Sequence, residues 1–529
     1  MENNRSSWGS NLGFLLAAIG SAVGLGNIWG FPYKMGRSGG FAFLIVYLLL
    51  AVFVGFVIMA SELALGRKTR LGAVGAYHAI SRKFKWIGWL AVLAPFLIMS
   101  FYTVLGGYCM QYLSLNLAEL SFGLQNLFEI NLEGGATFGA MLTNPFGCAI
   151  FTLLFLIICY LINKGEVSDG IEKFNKIGMP ALFVMLVIVI IRALTLPGAE
   201  EGLKFMFKPG YAVEAGFIEE APSLLNVVAT AGGQMFFSLS LAMGAMITYG
   251  SYLGKEENLK KNSLVIVVAD TIIALMAGLA VIPAAVANGI ANGTPYDQIS
   301  LSGPKLLFVT LQDVFAEMGN IGPLFGIIFY LLVLIAAISS AISLIEVITA
   351  FFTDNAARKG KTADRPRIVR WICAAIAVEA LLVAVDGLGA SGVFKFWGTD
   401  GWNDCFLDFM DCWSEGIAMP LGAMLMALMV GWELRVHPIL DEIDTGSKKS
   451  SAFDVFYTLC IRFITPIAMA LIFAGSISDF FKQAVVGSLT SEWIGYIIAA
   501  VVLLVFSAVA VVSGYGSKTT DSGVKKIRK

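Results

Sequence analysis

Apolar runs of about twenty residues, the length that carries a helix through the hydrocarbon layer of a bilayer, recur from one end of this chain to the other. Of its 529 residues, 57% are hydrophobic and only 14% are charged. Soluble domains carry about 25% charged residues, so the chain lacks the polar surface that a water-facing globule of its size needs. Inside hydrocarbon each backbone N–H and C=O must be satisfied within its own segment or a closed barrel, and runs this long are helices. The expectation is an all-α polytopic membrane protein of about twelve spans, near 11–36, 41–68, 87–120, 147–163, 173–195, 227–253, 262–291, 322–355, 369–386, 404–432, 454–480 and 491–513.

Lysine and arginine set the orientation. With the amino terminus cytoplasmic, 28 of the 36 basic residues fall on the inside, and none occurs between Trp86 and Asn163. Both termini are then expected in the cytoplasm of a cell (inner) membrane. Met1–Ser10 is polar and no small-residue cleavage site follows a short apolar core, so the first span is expected to stay in the mature protein.

Several function classes drop out. A net charge of −1 with no separate basic domain gives no reason to expect nucleic acid. The cysteines, Cys109, Cys148, Cys159, Cys373, Cys405, Cys412 and Cys460, lack ligand spacing and read as packing residues. His78 and His437 fall in predicted loops, without partners for a metal site. A membrane enzyme would need a catalytic cluster near one face, and a channel a charged ring or repeated filter segment; neither is present.

Two spans are poor helices. The first holds Gly20-Ser21-Ala22-Val23-Gly24-Leu25-Gly26-Asn27, and each glycine costs about 1 kcal/mol against alanine in a helix interior. The sixth carries Phe237-Ser238-Leu239-Ser240-Leu241-Ala242-Met243-Gly244. Interrupted spans at matching positions in two halves point to an inverted-repeat transporter with its site at mid-membrane. A broken helix in lipid leaves backbone groups that cost several kcal/mol unless something polar takes them. Cations can take the carbonyls, and a carboxylate the helix-end amides.

The stretch Gly24-Leu25-Gly26-Asn27-Ile28-Trp29-Gly30-Phe31-Pro32-Tyr33, with Ser251-Tyr252 after the sixth span, resembles the signature of the neurotransmitter:sodium symporters, especially prokaryotic amino-acid transporters of the LeuT type. The resemblance covers nearly the whole chain. It implies a 5+5 inverted repeat with discontinuous helices 1 and 6, residues 1–195 and 196–432 forming the two repeats. Residues 433–529 hold two extra spans, left for packing or homodimer contacts.

Carried over, the resemblance implies one sodium held by Ala22, Asn27, Ser238, Asp270 and the substrate carboxylate. A second sodium falls to the carbonyls of Gly20, Val23 and Ala336 with the Ser339 and Ser340 hydroxyls. It implies an amino-acid pocket of Leu25, Gly26, Ile98, Tyr102, Phe237, Ser240, Met243, Ser340 and Leu344, bordered by Ala22 and Ser238. Tyr102 would donate to the carboxylate, and Phe237 would lid the pocket. Gly24 stands where amine-transporting relatives have an aspartate, which favours an amino acid over a monoamine. Flexible Met243 favours a hydrophobic side chain; the runner-up is an osmolyte or another small zwitterion.

Asp270 replaces an asparagine found in some relatives. A fixed carboxylate there would do the work of a bound anion, so chloride is not expected to be required. Glu62 would brace the broken helices. An inner gate of Arg5, Trp8, Ser251, Tyr252 and Asp354 is implied, as is a hinge at Gly170 and Pro180, ten residues apart in span 5. The outer gate departs from the pattern. Asp411 is present, but Gly30 stands where the family usually has arginine, leaving closure to Lys34 or to Tyr102, Phe237 and water. Coupling is worthwhile only for uphill uptake. One charge crossing 100 mV gains about 2.3 kcal/mol and a tenfold gradient about 1.4, so two sodium ions supply about 7 kcal/mol.

Overall fold

A computed structural model describes residues 8–81, 83–120, 134–299, 301, 303–391, 405–483 and 491–516. Among them ten helices are long and apolar enough to cross a membrane, eleven when the bent pair Asn11–Ala22 and Gly26–Arg37 is taken as span 1. The others are span 2 (Phe41–Thr69), span 3 (Ile87–Leu120), span 4 (Pro145–Asn163), span 5 (Ser168–Leu194), span 7 (Leu259–Ala291), span 8 (Gly319–Arg358), span 9 (Arg365–Asp386), span 10 (Phe406–Glu433), span 11 (Ser451–Ser478) and span 12 (Trp493–Val512). The sixth expected span is split into Leu224–Ser238 and Ala245–Gly250, each too short to cross alone.

Polarity runs inside out. Ile177, Trp371 and Leu504 are about 70% exposed, whereas Asn27, Glu62 and Asp270 are fully buried. That is the arrangement for lipid as solvent, in which polar side chains face the bundle interior. Helix starts are capped by side chains that satisfy free amides: Ser10 accepts from the Gly13 amide, Ser223 from Asn226 and Asp364 from Arg367.

Span 8 lies along span 3, and span 11 packs against span 12. Several spans carry a widened π turn: Gly26–Gly30 in span 1, Ala51–Gly55 in span 2, Ser168–Glu172 in span 5, Cys412–Ala418 in span 10 and Cys460–Ile464 in span 11. Such turns are rare and concentrate at functional places.

Most span boundaries differ from the sequence reading by a few residues, and two of the differences bear on the site. Span 5 starts at Ser168 rather than at 173, because the π turn extends it. The break in span 6 takes six residues, Leu239 to Gly244, with Ser240 (φ 51°), Ala242 (φ 60°) and Gly244 (φ 75°) all left-handed. Only glycine takes that conformation without cost, so Ser240 and Ala242 are held there by their surroundings.

Candidate functional site

Span 1 leaves helical geometry at Val23 (φ −77°, ψ 102°) and its halves bend by 45°. This break meets that of span 6 at a narrow cavity with free space of only about 10 Å³. Ala22, Gly26, Ile98, Tyr102, Phe237, Ser240, Met243, Ser340 and Leu344 line it, joined by Ser21 and Gly24. The lining combines hydroxyls (Ser21, Ser240, Ser340, Tyr102) with apolar side chains (Ile98, Phe237, Met243, Leu344). Leu25 contributes its amide, which donates to Tyr102 Oη at 3.1 Å. The Phe237 and Tyr102 rings lie 6.3 Å apart between centroids. A methyl group on Gly24 would overlap the Ser340 hydroxyl and sit 2.6 Å from Tyr102 Oη, so no side chain fits there.

Ser238 stands behind the cavity rather than on its wall, in a cluster about Asp270. Asn27 Nδ2 donates to Asp270 Oδ1 at 2.7 Å and to Ser238 Oγ at 3.0 Å. Ser238 Oγ reaches Asp270 Oδ2 at 2.9 Å, and the Tyr47 hydroxyl approaches the same oxygen at 3.3 Å. The buried carboxylate is thus surrounded by donors, as burial of a charge requires.

A second cluster is neutral throughout. Ser339 Oγ donates to the Ala336 carbonyl at 2.8 Å and lies 3.3 Å from that of Val23. Ser340 Oγ is 3.0 Å from Ser21 O, 3.4 Å from Gly20 O and 3.5 Å from Val23 O. The five residues named in the sequence for one sodium therefore converge on one point, with hard oxygens of the kind an alkali cation takes.

Glu62 reaches the break in span 6, where its Oε1 accepts from the Ala242 amide at 2.8 Å. Oε2 finds no partner among the described residues. That contact holds one of the left-handed residues in place.

At the amino end of span 1 Trp8 packs edge-on against Tyr249 and Tyr252, and its Nε1 donates to Tyr249 O at 3.2 Å. Ser251 Oγ donates to Thr248 O, and Asp354 accepts from the Gly72 amide at 2.7 Å. Arg5 lies outside the described residues. The sequence reading missed a further link. Tyr252 Oη donates to Glu346 Oε1 at 2.7 Å, and Arg365 grips the same carboxylate at 2.5 Å, joining the end of span 6 to spans 8 and 9.

At the carboxyl end of span 1 Lys34 pairs with Glu415, not with Asp411, which sits one turn earlier on span 10. A Cβ on Gly30 would meet Gln234 Oε1 at 2.8 Å, so a side chain there must displace the tip of Gln234, whose Nε2 donates to the Gly26 carbonyl at 2.7 Å. Glu346 and Glu415 were both findable, since a carboxylate within a span is functional by default. In span 5, Gly170 sits in the π turn and Pro180 lies inside the helix that follows.

The chain matches the family model described as "Sodium:neurotransmitter symporter family" over residues 5–126 and 120–517. It is 32% identical to the sodium-dependent transporter YhdH of Bacillus subtilis, over 89% of this chain and 98% of that one. It is 30% identical to a sodium-dependent transporter of Haemophilus influenzae, over 90% and 99%. It is also 26% identical to the sodium-dependent serotonin transporter of Drosophila melanogaster, over 90% and 77%. Among solved structures it resembles that of MhsT in complex with L-phenylalanine, with a TM-score of 0.76, 35% identity and coverage of 89% and 100%. The protein is a multi-pass sodium-coupled symporter of the LeuT fold, and its family is one of transporters, not enzymes. With two ruptured spans, a hydroxyl-bearing cavity at their meeting point and family matches along nearly its whole length, this chain belongs to the sodium:neurotransmitter symporter family.

Proposed function

We propose that the chain imports a neutral, hydrophobic amino acid together with two sodium ions, by alternating access and without chloride. The observation that carries this is the cavity where the two breaks meet. Its lining offers hydroxyls and the backbone about Gly24 and Gly26 together with apolar Ile98, Phe237, Met243 and Leu344. A zwitterion with an apolar side chain satisfies both, and MhsT, the structural relative above, was solved with L-phenylalanine.

One sodium sits with Ala22, Asn27, Ser238 and Asp270, closed by the substrate carboxylate. The other sits with Gly20, Val23, Ala336, Ser339 and Ser340. Asp270 supplies the negative charge beside the first ion, which removes the need for an anion. The repeats comprise residues 1–195 and 196–432, with 433–529 outside them, in an inner membrane with both termini cytoplasmic.

Outer closure runs through Lys34 and Glu415, with Phe237 as the lid below. Inner closure runs through Trp8, Ser251, Tyr252, Asp354 and Arg5, supported by the Glu346–Arg365 pair. Span 5 yields at Gly170 and Pro180 to let water reach the second ion.

The test is uptake into proteoliposomes. Sodium-dependent, saturable accumulation of labelled tryptophan or leucine is expected, competed by other hydrophobic amino acids and undiminished when gluconate replaces chloride. Preference for glycine or an acidic amino acid refutes the substrate assignment. Loss of uptake in gluconate refutes the chloride assignment.

A further inference from the structure

Span 5 opens on the π turn Ser168–Glu172, and the last residue of that turn reaches across to the amino end of span 1. Glu172 Oε2 accepts from the Gly9 amide at 2.8 Å, and Oε1 accepts from the Ser10 hydroxyl at 3.3 Å. Lys176, one turn later, lies 2.7 Å from Oε1 and fixes the carboxylate from its own side. The carboxylate is 2% exposed. It stands where the free amides and dipole of the helix Asn11–Ala22 favour negative charge.

The two helices are moulded to each other along this seam. A methyl group on Gly13 would overlap the Glu172 carboxylate and lie 2.6 Å from its Cγ. Further in, a methyl group on Gly20 would overlap Asn175 Oδ1, a buried oxygen with no partner among the described residues. The inner half of span 1 therefore rests on span 5 at both ends. Its carboxyl end supplies the Gly20 and Val23 carbonyls that approach Ser339 and Ser340. A π turn holds one residue more than its hydrogen-bond ladder needs and is the weakest place in such a helix.

We propose that Glu172 is a positioning residue that latches span 1 to the winding of the span-5 turn. The proposal rests on the sodium-symport reading above. While Ser168–Glu172 is wound, the carboxylate holds Gly9 and Ser10 and keeps the Gly20 and Val23 carbonyls at the second ion. When the turn opens, Glu172 is carried away, the amides at the start of span 1 lose their acceptor, and the carbonyls at its other end withdraw from Ser339 and Ser340. Linkage runs both ways: sodium on those carbonyls keeps the latch closed.

The test is amide hydrogen exchange on the full chain in lipid nanodiscs, in sodium and in potassium. The wild type should show sodium-induced protection in residues 8–22 and 166–176 together. In Glu172→Ala, exchange of residues 8–22 in sodium should rise about tenfold, toward the potassium level, as loss of a charged hydrogen-bond acceptor implies. Glu172→Gln keeps an acceptor oxygen and should fall between. Gly13→Ala displaces the carboxylate without altering span 5, and alanine favours the helix it enters, so it should reproduce Glu172→Ala. Sodium-induced protection of residues 8–22 that survives in both Glu172→Ala and Gly13→Ala overturns the latch alone. No sodium effect in the wild type overturns the symport reading and the latch together.

Discussion

The two oxygen clusters flanking the break in span 1 differ in charge. Around Asp270, Asn27, Ser238 and Tyr47 converge on a buried carboxylate. Around Ser339 and Ser340, only carbonyls and hydroxyls meet. A cation on a carboxylate in a site of low dielectric is held far more strongly than one on neutral dipoles. The neutral cluster also depends on the inner half of span 1, which span 5 positions, whereas Asp270 lies within the long unbroken helix Leu259–Ala291. On the proposed two-sodium reading, the difference teaches a division of labour: the charged cluster would retain its ion with the substrate, and the neutral one is suited to let go first.

The substitution that should break this contrast most strongly is Asp270→Asn, which makes both clusters neutral. Losing one partner of a buried charge pair costs about 3–5 kcal/mol, so apparent sodium affinity in gluconate should fall by about a hundredfold or more. Chloride should restore a large part of it. Sodium titration of uptake in the two anions checks this, and an anion-independent response would place the first ion's countercharge elsewhere.

Cutting the outer pair should matter less to the ions and more to the substrate. Lys34→Met leaves Glu415 beside Asp411 without its cation, and leaves both clusters intact. Bound amino acid should dissociate about tenfold faster, in keeping with charged hydrogen bonds worth about 1.5–3 kcal/mol. Adding Glu415→Gln should recover part of that loss. Washout of labelled substrate from detergent-solubilised protein measures both variants, and equal dissociation rates would remove Lys34 from the closure.

The smallest effect should come from Ser339→Ala, which takes one neutral oxygen from the second cluster and none from the cavity wall. About 1 kcal/mol is at stake, a roughly fivefold weaker sodium response with little change in amino-acid specificity. A larger fall than that of Asp270→Asn would reverse the proposed ranking of the two clusters.

Much of this arrangement was legible in the sequence, because its causes are local. Glycines at 20, 24 and 26 weaken span 1 wherever it lies, and Ser339-Ser340 announces hydroxyls within an apolar run. What escaped depends on which helices touch. Lys34 and Glu415 are 381 residues apart, and Glu172 and Gly9 are 163 apart. No local pattern links them. Gly30 shows the same limit: its missing side chain could be read as a departure from the family, but that Gln234 fills the space follows only from packing.

The widened turns have a consequence of their own. Each adds one residue to its helix beyond what the regular ladder requires, much as a dislocation adds a half-plane to a crystal. Material with dislocations deforms by glide, moving the misfit along while most bonds stay made. Spans 1, 2, 5, 10 and 11 are supplied with such misfits, so a helix here can shift its register a little at a time, without the whole rod having to tilt at once.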